Sequence, residues 1–386
     1  MISTILKRNV YLDNNATTHV SKAVRKTMNR VLKYCWGNPS SGYQKGKTAN
    51  SIVENAREQV ASAIHAHPHE IYFTSCATEA NNMVLKSLSN HFYPGKKKII
   101  STPIEHPSVI NTLKFLETKG IIVQYCPVDR YGFVSAEELE NMIDNDTFLI
   151  CCMLANNEIG TIQNIREISS VAQKHSILVM SDCVQAFGKI PIDVKDLGID
   201  YATFSAHKLY GPKGIGCLYA KISSPIEAFI HGGHQEEGLR AGTESVHNIA
   251  GFGKACQATR QLISHSAQTL LLKEYFSQQL RIIKPDIVIN SPTTDCLPNT
   301  ISITFPNISS RELMMMLDYN GISVSSGTAC SSQLNKPSHV LKAIGLSDTL
   351  ANETLRISFG KDTRKGDINY TVNVIRKYFK QSSRND

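Results

Sequence analysis

Short apolar segments that alternate with helix-like stretches constrain the fold of this chain more than any other feature. Apolar runs of this kind are typical of strands that are covered on both faces of a parallel sheet. The stretches between them have the apolar spacing of covering helices. The pattern therefore predicts an α/β fold with a mostly parallel sheet. The predicted strands cover residues 70–74, 98–101, 147–154, 177–181, 201–204 and 215–220.

The pattern changes after residue 255, where strands and helices no longer alternate regularly. The predicted elements are helices over 257–283, 310–320 and 366–380 and strands over 300–305, 322–325 and 355–359. This arrangement is typical of a smaller α+β unit. We therefore predict a large domain over residues 16–255 and a small domain built from 1–15 and 256–386.

Charge and hydropathy narrow the classes of function. Lys and Arg outnumber Asp and Glu by 41 to 33, which gives a net charge of +8. This charge is spread over short runs, so it permits an acidic or nucleic-acid partner without indicating one. The sequence has no apolar run of about 18 residues and no secretion-signal pattern. We therefore expect no membrane span, a cytoplasmic location, and ten cysteines present as reduced thiols.

Polar side chains follow five of the predicted strands, at the point where each strand ends. They are SCATE at 75–79, Glu105 and His106, Asn156 and Asn157, Asp182, and SAHK at 205–208. In open α/β sheets, ligands bind in the crevice outside the carboxyl ends of the strands. The sequence therefore predicts a binding site at this edge of the sheet.

Three of these groups have complementary chemistry. Lys208 follows an apolar strand, where desolvation can remove its proton and make it a nucleophile toward an aldehyde. Asp182 can pair with a pyridinium nitrogen, and the loop before Thr78 begins a helix whose free N–H groups suit a phosphate. Together they predict a pyridoxal 5'-phosphate (PLP) site. No metal site is predicted, because the histidine-rich segment 65–69 is interpreted as loop surface.

A series of short motifs carries a resemblance to one enzyme family. In chain order they are YLDNNATT at 11–18, GNPSS at 37–41, FTSCATE at 73–79, EH at 105–106, NNEIG at 156–160, SAHK at 205–208, HGG at 231–233, RAGT at 240–243 and SSGTAC at 325–330. The chain resembles a cysteine desulfurase of the NifS/IscS branch, from Tyr11 to about Gly360. This family belongs to the fold-type-I, aspartate-aminotransferase-like PLP enzymes, so the resemblance implies that fold.

The resemblance also implies a role for each matching residue. The residues implied to hold PLP are Lys208 on its aldehyde, Asp182 on the ring nitrogen, Gln185 on the phenolic oxygen, His106 stacked on the ring, Ala77, Thr78, Ser205 and His207 on the phosphate, and Thr243 contributed by a partner subunit. Asn157 and Arg356 are implied to bind the substrate carboxylate, with Asn157 also beside the cofactor. The implied catalytic residues are Cys330, Lys208 and His106.

The implied reaction converts L-cysteine to L-alanine in a homodimer. The sulfur is held as a persulfide on Cys330 and passed to an acceptor, which is an iron–sulfur scaffold, a tRNA-thiolation system or a DNA sulfur-modification system. One alternative is another enzyme of the same fold, a selenocysteine lyase or a PLP-dependent aminotransferase. A second is a subunit that binds PLP but works as a scaffold or nucleic-acid partner. Cys330 argues against transamination, which needs no thiol on a glycine-rich segment.

Overall fold

A computed structural model describes residues 8–326 and 337–382 of the chain. In this part of the chain the strands are β1 (Val10–Tyr11), β2 (Ile71–Thr74), β3 (Lys98–Ser101), β4 (Ile122–Tyr125), β5 (Thr147–Cys151), β6 (Leu178–Asp182), β7 (Tyr201–Ser205), β8 (Gly216–Ala220), β9 (Val288–Ile289), β10 (Thr300–Thr304), β11 (Ile322–Ser323) and β12 (Thr354–Ser358). The helices are α1 (Lys22–Tyr34), α2 (Gln44–Ala63), α3 (Ala77–Phe92), α4 (Pro107–Glu117), α5 (Ala136–Asn141), α6 (Ile165–Lys174), α7 (Val246–Cys256), α8 (Thr259–Ser264), α9 (Ser266–Ile283), α10 (Ser310–Tyr319), α11 (His339–Ala343), α12 (Asp348–Asn352) and α13 (Lys365–Ser382).

Seven strands form a central sheet in the order β2-β8-β7-β6-β5-β3-β4. Strands β4, β3, β5, β6 and β7 pair in parallel, while β8 runs antiparallel to both of its neighbours, β7 and β2. The predicted mostly parallel α/β sheet is therefore confirmed. The sequence did not predict β4, an edge strand whose residues are exposed or half-buried. An edge strand of this kind lacks the continuous apolar run by which the other strands were predicted.

The helix predicted over 257–283 is two helices, α8 and α9, which meet at His265. The Gln261 carbonyl at the end of α8 accepts hydrogen bonds from the Ser264 hydroxyl at 2.8 Å and from the His265 ring at 2.9 Å. These side chains compete with the backbone for the carbonyl, and the His265 N–H lies 3.3 Å from the same oxygen. The apolar spacing continues across the junction, which explains why the sequence predicts one helix.

Apolar cores lie on both faces of the large sheet, and a separate core lies around the small sheet β12-β10-β9. The separate core combines Val10 and Leu12 with residues of α9, α10 and α13. A smaller cluster packs Ile104, Met153 and Ile159 against α11 and α12. It connects the edge of the large sheet to the chain after residue 337. The domain boundaries given above remain a prediction.

Among the described residues, no helix is both long enough and apolar enough to span a membrane.

Candidate active site

The carboxyl ends of β2, β3, β5, β6 and β7 lie along one edge of the central sheet, because these strands run in the same direction. The segment after each strand carries one of the polar groups predicted from the sequence. The N-terminal segment 13–18 and strand β12 also reach this edge, through hydrogen bonds that are described below. The structure thus brings together groups that are far apart in the chain.

Lys208 is the last residue of a short 3-10 helix, Ala206–Lys208, that follows β7. Its Nζ donates hydrogen bonds to the main-chain oxygens of Asn15 and Ala16, each at 2.7 Å. Thr18 supports the same turn, since its Oγ1 donates to the His207 carbonyl at 2.8 Å and accepts the Tyr210 N–H at 2.8 Å. The N-terminal segment therefore fixes the position of the lysine, a role that the sequence analysis did not assign to it.

Asp182 ends β6 and is 4% exposed. Its Oδ1 accepts the Val184 N–H at 3.0 Å, and its Oδ2 accepts from Asn81 Nδ2, on α3, at 3.1 Å. Asn81 is in turn oriented by the Thr203 hydroxyl of β7, which donates to its Oδ1 at 2.7 Å. The turn after β6 and Asn81, which β7 orients, thus hold the carboxylate in one orientation. Nothing in the sequence points to Asn81 beyond its position on the helix after the SCATE loop.

His106 caps the N-terminus of α4, where its Nδ1 accepts the Ser108 N–H at 3.1 Å. A ring nitrogen that accepts a hydrogen bond carries no proton, so the neutral ring has its proton on Nε2. Burial lowers the pKa of His106 most, and Lys208 and His339 lower it further, while Asp182 opposes them. His106 therefore presents a neutral imidazole to the site.

The N-terminus of α3 offers hydrogen-bond donors that have no partner among the described residues. The N–H groups of Ala77 and Thr78 make no hydrogen bond within the part of the chain that the structure describes, and Cys76 forms no side-chain cap. Gly216 lies beside this loop, paired with both Thr74 and Ser205. A Cβ on Gly216 would stand 2.5 Å from the Phe204 main-chain oxygen and 2.8 Å from the Cys76 carbonyl carbon, so only glycine lets the helix start approach the sheet this closely.

This donor set fits a phosphate group. Ser205 is buried and is the last residue of β7, where it pairs with Gly216 of β8. His207 follows two residues later. Burial, Lys208 and Lys213 lower the pKa of His207 to about 4, so its ring is neutral near pH 7. His207 can therefore offer a hydrogen bond here, but not a charge. Its Nδ1 already lies 3.0 Å from the Thr17 hydroxyl.

Arg356 and Asn157, the two residues predicted to bind the substrate carboxylate, are brought together. Arg356 on β12 is 3% exposed, and its Nη1 donates to the Asn157 main-chain oxygen at 3.4 Å. Its Nη2 forms an ion pair with Asp13 at 2.5 Å. Its Nε has no hydrogen-bond partner among the described residues. Asp13 was missed as a site residue, although it lies within the motif at 11–18.

Glu105 is one of the polar residues that the sequence placed at this edge of the sheet, but the sequence analysis gave it no role. It is fully buried, and its Oε1 accepts from Thr102 Oγ1 and from the Met153 N–H, each at 2.8 Å. Its Oε2 has no partner in the described part of the chain. Burial, with a further contribution from Asp182, raises the pKa of Glu105 to about 8. This carboxyl group is therefore largely protonated at neutral pH.

The remaining predicted residues are Gln185, Thr243 and Cys330. Gln185 is 5% exposed and donates to the Asn15 main-chain oxygen at 3.0 Å. Thr243 lines a cleft beside Ser75 in its own chain, in a loop held to α3 by the ion pair between Arg240 and Glu79 at 2.9 Å. That Thr243 serves a partner subunit remains a prediction. Cys330 lies outside the residues that the structure describes.

The chain is similar to known proteins over nearly its whole length. The class-V aminotransferase family matches residues 10–370. The cysteine desulfurase IscS of Dictyoglomus turgidum is 42% identical over 373 residues, which cover 96% of this chain and 95% of that protein. A solved NifS-like protein superposes with a TM-score of 0.92 at 40% identity, covering 97% of this chain and 100% of that chain. SspA, solved in complex with cysteine, gives a TM-score of 0.81 at 36% identity, covering 91% and 99%.

These matches extend over nearly the whole chain, as the motifs predicted. The aspartate-aminotransferase-like fold, the enzyme class and the PLP cofactor that were predicted from the sequence are confirmed by them. The chain therefore belongs to the class-V aminotransferase family and, within it, to the PLP-dependent cysteine desulfurases.

Proposed function

We propose that this protein takes the sulfur atom from L-cysteine, releases L-alanine, and holds the sulfur as a persulfide on Cys330. The observation that carries the proposal is the meeting of Lys208, Asp182 and the unpartnered start of α3 at one edge of the sheet. A nucleophilic amine, a fixed carboxylate and a phosphate cradle are the three features that PLP needs. The relative solved with cysteine supports the choice of substrate.

Different residues of the chain would bind different parts of PLP. The N–H groups of Ala77 and Thr78 and the Ser205 hydroxyl would bind the phosphate, while Asp182 would accept a hydrogen bond from the ring nitrogen. Lys208 would bind the aldehyde carbon through Nζ. When bound, PLP withdraws electrons from the α-carbon of the substrate.

Arg356 is proposed to bind the substrate carboxylate. Its Nε has no partner among the described residues and its Nη1 is only weakly bonded, so each of these nitrogens can donate a hydrogen bond to a carboxylate. Asp13 holds the third nitrogen and so orients the guanidinium. With the substrate bound, Lys208 would receive the α-proton on Nζ, and the neutral ring of His106 would be available for further proton transfer.

The sulfur step is proposed to use the Cys330 thiolate. The thiolate attacks the substrate sulfur, an S–S bond forms, and the C–S bond breaks with its electron pair left on the substrate carbon, which is then protonated. The sum is L-cysteine plus enzyme thiol giving L-alanine plus enzyme persulfide, which balances without an added oxidant or reductant.

Contacts on both sides of residue 330 support this assignment. Before it, the main chain of Ser325 exchanges hydrogen bonds with Arg356 at 3.1 and 2.7 Å. After it, the Ser338 hydroxyl donates to Glu158 at 2.6 Å, and the His339 ring lies 2.9 Å from the Glu105 carbonyl. The described chain therefore leaves the site and returns to it around the segment that carries Cys330.

The proposal extends to partners and location. We propose a homodimer in which Thr243 contributes to the partner's phosphate site, a sulfur-acceptor protein that takes the persulfide sulfur, and a cytoplasmic location. The nature of the acceptor stays open among the three systems named above.

The test is alanine release from L-cysteine, together with mass spectrometry of the peptide that contains Cys330. The wild type should release alanine and gain one sulfur atom on Cys330, whereas Cys330→Ser should still bind PLP and do neither. Cys35→Ser is the matched control and should behave as wild type. Alanine release by Cys330→Ser at the wild-type rate, as a thiol-independent enzyme would give, contradicts the proposal. A keto-acid product in place of alanine from both proteins, as an aminotransferase would give, contradicts it too. So does turnover of selenocysteine without turnover of cysteine.

A further inference from the structure

Asn15 is the centre of a buried hydrogen-bond network at the site. It is 1% exposed, and its main-chain oxygen accepts from Lys208 at 2.7 Å and from Gln185 at 3.0 Å. Its side-chain partners are Lys189 at 2.8 Å and Asn299 at 3.0 Å on Oδ1, and Asn157 at 3.0 Å and Thr300 at 2.8 Å on Nδ2. The orientation of the Asn15 amide is therefore determined at both ends.

The orientation of the Gln185 amide follows from the same network. A main-chain oxygen only accepts hydrogen bonds, so the group that faces the Asn15 oxygen is the amide nitrogen, Nε2. The amide oxygen, Oε1, accepts from Lys189 Nζ at 2.6 Å. Nε2 has two hydrogens, and the second has no partner among the described residues. The site thus contains one unused, oriented N–H on a buried side chain.

Lys189 is the residue that holds the amide oxygen. It forms no ion pair within the described residues, and its Nζ donates instead to two amide oxygens, those of Gln185 and Asn15. Burial lowers the pKa of Lys189 well below its ordinary value, and Lys208 and Arg356 lower it further. A buried amine next to two cations is costly to maintain. No ion pair with an acid among the described residues compensates for burying Lys189. Its contacts instead suggest that it is kept to orient the Gln185 amide.

We propose that Lys189 is a positioning residue, which holds the oxygen of the Gln185 amide so that the amide nitrogen donates to the phenolic oxygen of bound PLP. The inference rests on the proposed function, because it requires PLP at this site. A hydrogen bond to the phenolic oxygen stabilises negative charge there. Loss of Lys189 leaves the Gln185 oxygen without its donor, so the amide loses its orientation and the bond to PLP weakens.

The experiment is a pH titration of the visible absorption band of the PLP-loaded protein. The variants are Lys189→Met, Gln185→Met and the double variant, and Lys195→Met is the control, because Lys195 is an exposed lysine. Each single substitution should raise the pH midpoint by about one unit, a tenfold change, because the deprotonated form loses a hydrogen bond. The double variant should shift no further than the larger single shift. Lys195→Met should titrate as wild type.

Two results would overturn the inference. One is an unchanged midpoint in Lys189→Met that keeps the wild-type circular dichroism spectrum. The other is an additive shift in the double variant, which would mean that Lys189 does not act through Gln185. If Lys189→Met does not fold, Lys189→Leu, which also lacks a donor, takes its place, with the same shift expected and an unchanged midpoint again contradicting the inference. A wild-type protein without a visible band would instead refute the proposed function, so the two failures are distinguishable.

Discussion

The start of α3 and the network around Asn15 are two ends of the site, and they differ in how many of their polar groups have hydrogen-bond partners in the protein. At the start of α3, the N–H groups of Ala77 and Thr78 have none among the described residues. Around Asn15, every polar atom of the residue is in a hydrogen bond. Groups that await a ligand lack partners in the protein, whereas groups that position other residues are fully bonded. At these two ends of the site, the groups that lack partners are therefore the ones proposed to bind the ligand, and they also differ in exposure, since Thr78 is exposed and Asn15 is 1% exposed.

The largest effect expected from this contrast is on the stability of the apo protein. Asn15→Ala removes the partner of several buried polar groups at once, and each costs about 1–3 kcal/mol when left unpaired. We expect the free energy of unfolding to fall by about 4 kcal/mol, measured by urea denaturation. Asn50→Ala, on an exposed position of α2, is the control and should change it little. A loss of under about 1 kcal/mol for Asn15→Ala would show that the network adds little stability.

The next largest effect is on how stability depends on pH, and it arises because the two buried acids at the site, Asp182 and Glu105, differ in their hydrogen bonds. Both oxygens of Asp182 accept hydrogen bonds, whereas Glu105 Oε2 has no partner within the described residues. The pKa of Glu105 rises from 4.5 to about 8 on folding, so the native state binds the proton more tightly than the unfolded state. Its stabilising contribution is therefore complete below pH 4.5 and is lost as pH rises toward 8, by at most about 1.4 kcal/mol per pH unit.

Glu105→Gln keeps a neutral side chain at every pH, so this loss should disappear. Between pH 5 and 7 we expect the variant to lose about 2 kcal/mol less stability than wild type, measured by urea denaturation at each pH. Glu58→Gln, at an exposed glutamate, should follow the wild-type curve. Parallel curves for Glu105→Gln and wild type would mean that Glu105 is ionised in the native state at these pH values.

The smallest effect is expected at the open end of the site. Ser205→Ala removes one of several donors to the phosphate, so PLP affinity should fall by about fivefold, or about 1 kcal/mol, while the stability of the apo protein stays unchanged. Equilibrium titration with PLP measures the first quantity and urea denaturation the second. Ser223→Ala, on the surface, serves as control. A large loss of apo stability in Ser205→Ala would place this serine with the positioning residues instead.

Features that depend on neighbouring residues in the chain were predictable. The apolar runs of β5, β6 and β7 are local patterns, and so is the polar residue that follows each run. A parallel sheet then brings these residues to one edge whatever the details of the loops. For this reason the sequence alone predicts that Lys208 and Asp182 lie at the same edge of the sheet. It missed the edge strand β4 and the break between α8 and α9, because the first has no continuous apolar run and the second leaves the apolar spacing intact.

The sequence by itself determined the fold class, the family, and the residues whose chemistry the reaction needs, because strand patterns and motifs are written in consecutive positions. Only the tertiary structure decided which residues hold these groups in place. Asn15 contacts Lys208 across 193 positions, and Asp13 contacts Arg356 across 343. The high pKa of Glu105 likewise arises from burial by segments that are distant in the chain. Such contacts join residues that are far apart in the chain, and the spacing of apolar residues carries no information about them. The positioning residues could therefore be identified only from the folded structure.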